Sequence, residues 1–509
     1  MWEFRHRDWL AHHARNQPER PCWTDLHSGR AFTFAEAEDR TRRLAAFLRR
    51  DCGVARGDRV AVLAMNSTDI MEIWCACAKI GAVFLPLNWR LAPPEIDFIL
   101  GDGEPKVLIF DTANAETVTA LTWTGARRIE TTGGGGDAEY ERAIAASDGD
   151  ATAEAMGPDD PWTIMYTSGT TGRPKGAINT YGMAFWNAVN LGLPCAIGPQ
   201  SVGVTILPLF HTGGLNCYAS VILHAGGHSL IMRAFDPGAA LRLIDDPAVG
   251  LTHFFGVPAN YLFMAQHPDF ATTDFSRLVR AGVGGAPTPV PLLETFKARG
   301  VAIVQGFGMT ETSPAVCVQD ATRAWSKPGS AGRPVHYGDL KVVREDGTDA
   351  APGETGELWV RGPNITPGYW RRPEATAASF TGEWFHTGDA ARIDADGDVW
   401  IVDRWKDMFI SGGENVYPAE VESAIHALPG VADVAVIGEP SEKWGETGVA
   451  FVVLREDAAP DAEALLHALD GRIARYKIPK RVIFTGPLPR NATGKILKGP
   501  LRDRIRAGE

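Results

Sequence analysis

Between residues 59 and 307 the chain alternates short apolar runs with segments of helical character, and this alternation restricts its fold more than any other feature. The runs are RVAVLAM (59–65), VFLPL (83–87), KVLIF (106–110), VGVTILPL (202–209), THFFGV (252–257), RLVRAGV (277–283) and VAIVQGF (301–307), with the longer IMEIWCACAKIG (70–81) among them. Strands that recur with helices between them build parallel sheets covered by helices. Upstream, Phe34, Ala37, Leu44, Phe47 and Leu48 mark a helix over 33–50, and Thr33 followed by Glu36 forms a capping box. GGGG at 133–136 lies in a polar segment and reads as a flexible surface loop.

The pattern changes after about residue 330. LKVVRED, GELWVRG and DVWIVDR are short, alternating and separated by Gly-Asp turns, which predicts antiparallel, β-barrel-like structure. From Asp407 a last segment begins. Pro418 opens a helix on which Val421, Ala424, Ile425 and Leu428 share a face, stopped by Pro429-Gly430. VADVAVIG and GVAFVVL read as strands, and DAEALLHALDGRIARY as a helix. A chain of 509 residues exceeds the roughly 250–300 at which a single core stops growing. The expectation is an α/β protein with a large N-terminal domain (1–403) of parallel sheets plus the barrel-like part. A hinge (404–406) and a small, mobile α+β domain (407–509) follow.

Net charge of −12 and a pI near 5.6 exclude the basic surplus of a nucleic-acid binder, though not a nucleotide site. Seven scattered cysteines make no disulfide framework, and CAC at 75–77 has the wrong spacing for zinc. They read as buried thiols of a reducing, cytoplasmic protein. The N-terminus has no apolar core of a signal peptide. No Asp, Glu, Lys or Arg occurs between Lys175 and Arg233, but Asn187, Asn190, Pro194, Pro199, Pro208, His211 and Asn216 interrupt that stretch. It therefore reads as a buried centre holding an apolar ligand pocket, not a membrane span. A dimer is compatible with the sequence.

YTSGTTGRPKG (166–176) invites comparison with the P-loop, but counting from Gly169 puts Pro174 where the second glycine is needed. Its residues still suit phosphate: Thr167, Ser168, Thr170 and Thr171 donate, Gly169 and Gly172 let the chain turn, and Lys175 supplies charge. GFGMTET (306–312) follows an apolar run, as nucleotide pockets follow strand ends. There Gly306, Gly308 and Met309 shape the loop, Phe307 offers a stacking face, Thr310 a phosphate contact and Glu311 an oxygen ligand for Mg²⁺. Asp389 in HTGD suits ribose hydroxyls, Arg404 follows in DRWKD, and Lys495 lies on a Gly-containing loop.

In order and spacing, YTSGTTGRPKG, GFGMTET, WFHTGD, DRWKDMFISGGENVYPAEVE and PRNATGKILK resemble the motifs of the acyl-adenylate-forming superfamily. Its members include acyl-CoA synthetases, aryl-CoA ligases, luciferases and carrier-loading adenylation domains. The resemblance runs from the helix at 33–50 to Lys498. It implies that ATP and a carboxylic acid give an acyl-AMP and pyrophosphate, after which CoA displaces AMP. It further implies that Thr170 and Glu311 hold Mg²⁺, that Gly285 and Ala286 flank adenine, and that Asp389 and Arg404 take the ribose. Lys495 would stand between the carboxylate and the α-phosphate, where a charge pair near 4 Å contributes roughly 4 kcal/mol at an effective dielectric of 20. Lys406 would be the pivot, and Gly412 and Gly413 would approach the thiol arm of CoA. Phe307 departs from the family's usual tyrosine, keeping stacking and losing the phenol.

PLFHTGG (208–214) resembles the segment whose histidine gates the acyl pocket, which assigns His211 to the substrate with Phe255, Gly284 and Gly308. Amino-acid-loading relatives place an aspartate nearby; none is near His211, so an apolar acid is expected, whether aryl, arylpropenoic or medium-chain fatty. Arg277 and Arg280 support no claim to a second substrate carboxylate. The alternatives are a stand-alone loader of carrier proteins and a non-catalytic nucleotide-binding regulator.

Overall fold

The protein is described from a computed structural model that covers residues 5–149, 153–167, 174–404, 407–411, 414–441, 444–456, 458–459, 461–470, 472–490 and 495–509. Four sheets organise it. In the largest, nine strands run in the order Arg333–Pro334, Ala315–Val318, Ile303–Gly308, Arg280–Val283, His253–Gly256, Val202–Thr205, His228–Ile231, Pro21–Asp25 and Ala31–Thr33. From Ile303–Gly308 to Pro21–Asp25 every neighbouring pair is parallel; the edges are antiparallel. A second sheet orders Arg127–Thr131, Val107–Asp111, Arg59–Leu63, Val83–Pro86, Pro161–Thr167 and Lys175–Thr180, parallel except for the last pair. The alternation in the sequence thus produces two parallel sheets, each finished by an antiparallel edge.

The third sheet is wholly antiparallel and joins Asp339–Val343, Gly356–Arg361, Trp384–Ile393, Phe380–Thr381 and Val399–Arg404. A small C-terminal domain carries the fourth sheet, in which Arg481–Phe484 runs parallel to Gly445–Leu454 and the other pairs are antiparallel.

IMEIWCACAKIG forms the helix Thr68–Ile80, every residue of which is buried. A helix with no exposed side belongs in a core, and this one lies within the core cluster that also holds Trp23, Trp74 and Trp162. Its charged residues are paired. Glu72, fully buried, accepts from Arg40 Nε (2.7 Å) and Tyr140 Oη (2.8 Å), and Lys79 Nζ reaches Asp8 (2.5 Å) and Glu38 (2.6 Å). The upstream helix spans Phe34–Arg50 with the expected Thr33–Glu36 capping box. All seven cysteines are free thiols, and all but Cys52 are buried.

Three expectations need correction. The GGGG turn is packed rather than a free surface loop: Gly133 is buried at φ +67°, and a Cβ there would lie 2.7 Å from Arg233 Nη1. Among the described residues of DAEALLHALDGRIARY, only Ala462–His467 is α-helical. The Pro418 helix ends at His426, so Leu428 packs from beyond its end. Among the described residues, no helix is long and apolar enough to cross a membrane.

Removing Glu72 takes one of two carboxylate partners from Arg40, which keeps Glu141, and leaves the buried Tyr140 hydroxyl without its acceptor, at a cost of about 1–3 kcal/mol. Glu72→Ala is therefore expected to lower the melting temperature, as read by thermal denaturation. An unchanged melting temperature would show that the Arg40–Glu72–Tyr140 network contributes nothing net.

Candidate active site

A cleft of about 3530 Å³ opens between the C-terminal ends of the parallel strands, the antiparallel sheet and the C-terminal domain. The strands Pro161–Thr167 and Lys175–Thr180 are antiparallel neighbours with Thr167 opposite Lys175, so both flanks of the Ser/Thr/Gly loop reach the cleft wall. Ser168, Gly169, Thr170, Thr171 and Gly172 lie outside the described residues, as do Lys406, Gly412, Gly413 and the side chain of Arg404. Lys175 Nζ stands 5.3 Å from the centroid of the Tyr369 ring.

Across the cleft, Gly306, Phe307 and Gly308 end the strand Ile303–Gly308, and a short turn Thr310–Thr312 follows Met309. The backbone doubles back so tightly that a Cβ on Gly308 would meet Pro314 O at 1.7 Å. That close approach, which only glycine permits, turns the buried Thr310 and Glu311 toward the cleft. Glu311 Oε1 accepts from Tyr369 Oη at 2.9 Å, and its carbonyl accepts from Thr366 N at 2.7 Å. Phe307 lines the cleft while packing against the core of the antiparallel sheet. Gly284, Gly285 and Ala286 follow the strand Arg280–Val283, with Gly285 at φ +80°. Asp389, nearly buried, sits opposite Arg404 in the ladder.

His211 caps the turn Thr212–Gly214, its Nδ1 accepting from Gly213 N at 3.1 Å. Acceptance at Nδ1 places the neutral ring's proton on Nε2. Burial lowers the ring's pKa to about 4.

Leu191, Cys195, Cys217, Tyr218, Phe255, Cys317 and Val318 also line the cleft, and all but Cys317 pack together as one apolar cluster. The Tyr218 and Phe255 rings lie 5.3 Å apart. A Cβ on Gly282 would come within 2.6 Å of Tyr218 Oη and 2.8 Å of a Phe255 ring carbon, and one on Gly284 within 3.3 Å of Phe255. Two missing side chains thus let two aromatic rings rest directly on the backbone. Arg280 bonds the carbonyls of Pro194 and Val279, and Arg277 those of Asp245 and Asp274's carboxylate, so neither serves the pocket.

Lys495 lines the same cleft from the C-terminal domain. Nearby, Lys498 pairs with Glu422 at 2.8 Å and Arg502 with Asp407 at 2.7 Å. Two cleft residues escaped the sequence reading. Tyr218 lies past the His211 motif, in an apolar run that signals only burial. Tyr369 stands in TPGYW, where no motif had been singled out.

The AMP-binding enzyme model matches residues 10–370, and the model of the AMP-binding enzyme C-terminal domain matches 420–495. The chain is 44% identical to a feruloyl-CoA synthase of Amycolatopsis sp over 98% of both chains. It is 39% identical to an indoleacetate–CoA ligase of Aromatoleum aromaticum, covering 95% of this chain and 97% of that one. Among solved structures, ATP-bound MatB from Rhodopseudomonas palustris superposes with a TM-score of 0.91 at 33% identity, covering 98% and 99% of the two chains. O-succinylbenzoate coenzyme A synthetase from Bacillus subtilis, in complex with ATP and magnesium ion, gives 0.87 at 31% identity over 98% and 100%.

The lowered pKa of His211 carries a sign. An imidazole that titrates near 4 when folded and near 6.5 when unfolded is held neutral by the fold, so its contribution to stability is lost as pH falls from 6.5 toward 4. Ring signals of histidine-labelled protein, with His211 assigned through His211→Asn, should show no titration at this residue between pH 5 and 8. A midpoint near 6.5 would mean that the ring is hydrated rather than enclosed.

Proposed function

The chain belongs to the AMP-binding enzyme family and is an AMP-forming acid–CoA ligase, and from that premise we propose that its acid is an aryl or arylpropenoic one. The observation that supports this most is the apolar, aromatic part of the cleft lining that includes Tyr218 and Phe255. Tyr218 and Phe255, seated on the backbone at Gly282 and Gly284, line the cleft together with the Cys195, Cys217 and Cys317 thiols. Such walls suit a flat ring, through offset stacking and thiol–aromatic contact. The names of the feruloyl and indoleacetate relatives agree with it.

The residues divide the chemistry. An oxygen of the acid attacks the α-phosphorus of ATP; that P–O bond forms as the bond to the pyrophosphate oxygen breaks. Both reactants are anions, and the ammonium of Lys495 offsets their repulsion. His211, neutral with its proton on Nε2, donates at the mouth of the acyl pocket. Gly285 and Ala286 flank the adenine, Phe307 stacks on it, and Asp389 with Arg404 takes the ribose. Glu311 and Thr170 offer hard oxygen donors that fit magnesium, and Glu311 is already oriented by Tyr369; the ion supplies charge neutralisation to the phosphates when bound. Thr167 and Lys175, at either end of the Ser/Thr/Gly stretch, serve the phosphates. Rotation of residues 407–509 about 404–406 then withdraws Lys495 and brings Gly412 and Gly413 to the CoA thiol, which attacks the acyl carbon and expels AMP. Both relatives are named for CoA, which favours free CoA over a carrier protein. The free thiols and the two cosubstrates agree with a cytoplasmic enzyme.

A panel of aryl, arylpropenoic and straight-chain acids, followed by pyrophosphate release and thioester formation, tests the substrate class. We expect aryl or arylpropenoic acids to exceed fatty acids of equal carbon number by about 10-fold or more in kcat/KM, the discrimination a shaped apolar pocket can supply. Preference for straight chains would overturn it. Lys495→Ala should lower acid-dependent ATP–pyrophosphate exchange by on the order of 10²–10³-fold, and undiminished exchange would remove Lys495 from the adenylation step.

A further inference from the structure

Tyr369 touches two charged residues of the cleft that the sequence places in separate motifs. Its hydroxyl donates to Glu311 Oε1 at 2.9 Å. The face of its ring lies 5.3 Å from Lys175 Nζ, within the distance at which an ammonium is attracted to an aromatic quadrupole. The tyrosine is not a loose surface residue. Trp370 N donates to Gly176 O (2.7 Å), Ile178 N to Gly368 O (3.1 Å), and Thr366 Oγ1 to Ile178 O (2.7 Å). Ala177 and Tyr369 form an antiparallel bridge. The segment is thereby fastened to the strand that leaves the phosphate loop, while Thr366 N holds the backbone of Glu311. Gly368, at φ +140°, has Thr376 packed where a side chain would go, which fixes the approach of Tyr369 from its other side.

We propose that Tyr369 is a positioning residue that couples Lys175 to Glu311, so that the two respond to the metal–nucleotide as one unit. The inference rests on the reading of Glu311 as a magnesium ligand. Rotation of a ligating carboxylate is restrained by the partner it already bonds, and such partners typically govern metal affinity 10- to 100-fold. The ring face keeps the Lys175 ammonium on the same side as Glu311, so cation and carboxylate are ordered before ATP arrives.

Three variants separate this from a packing role. Tyr369→Phe keeps the ring, the backbone bonds and the face toward Lys175, and removes only the hydroxyl. Tyr369→Leu removes the ring as well, and Glu311→Gln checks the metal reading itself. ATP binding is measured by calorimetry with EDTA and across a magnesium chloride titration, alongside the melting temperature. For Tyr369→Phe we expect about a 10-fold rise in the magnesium concentration needed for half-maximal tightening of ATP binding. Binding in EDTA and the melting temperature should stay as in the parent, and excess magnesium should restore the parent affinity. Tyr369→Leu should weaken binding in EDTA by a further 2- to 5-fold or so, through loss of the cation–π contact. An unshifted magnesium dependence in Tyr369→Phe, with Glu311→Gln shifted, overturns the coupling and leaves the metal reading intact. Equal weakening of Tyr369→Phe with and without magnesium assigns the hydroxyl to packing and also overturns it. If Glu311→Gln leaves magnesium dependence unchanged, the metal reading falls and the coupling falls with it.

Discussion

The site depends on a reversal of backbone at the end of one parallel strand. Ile303–Gly308 emerges from the nine-stranded sheet, and within six residues its chain has folded onto Pro314 so closely that Gly308 has no room for a side chain. Strand ends in a parallel sheet collect at one edge, and this reversal aims Thr310 and Glu311 back across that edge. In the neighbouring sheet, Thr167 and Lys175, at the ends of the strands Pro161–Thr167 and Lys175–Thr180, line the same cleft. The glycine-rich end of Arg280–Val283 and the turn at His211 complete the rim. A bulkier backbone at Gly308 would move the carboxylate and the pocket wall together.

Charge is managed differently in the core and in the cleft. Within the core, Glu72, Lys79 and Asp69 lie on a helix without an exposed face, and each meets its partners there. The arrangement is rigid because a lone charge in that setting would be costly. Around the cleft, Lys175 and Lys495 come from different domains of a chain whose net charge is −12. An acidic protein can hold a polyphosphate because the relevant potential is local. Tyr369 illustrates how that locality is built, with one aromatic side chain serving an ammonium by its face and a carboxylate by its hydroxyl.

Much of this was legible in order and period. The strands at 59–63, 83–86, 107–111, 202–205, 253–256, 280–283 and 303–308 follow the apolar runs, and the Thr33–Glu36 cap starts its helix where expected. Local signals failed where local and tertiary demands diverge. Four glycines suggested freedom, yet Gly133 is pressed against Arg233; among the described residues, a periodic pattern across 461–476 gave only the short helix Ala462–His467. Tyr218 and Tyr369 carried no local signature at all, because their importance lies in contacts with residues far along the chain.

The type and order of the elements were readable from hydrophobic period and turn residues, which are properties of neighbouring residues, and the reaction class came from the resemblance that the five motifs carry in order and spacing. Which strands share a sheet, the packing of Tyr218 and Phe255 over Gly282 and Gly284, and the position of Tyr369 between Lys175 and Glu311 were settled by the tertiary structure alone. Those contacts join positions tens to hundreds of residues apart, and they come into being only when burial of the sheets and helices brings the strand ends to a common edge.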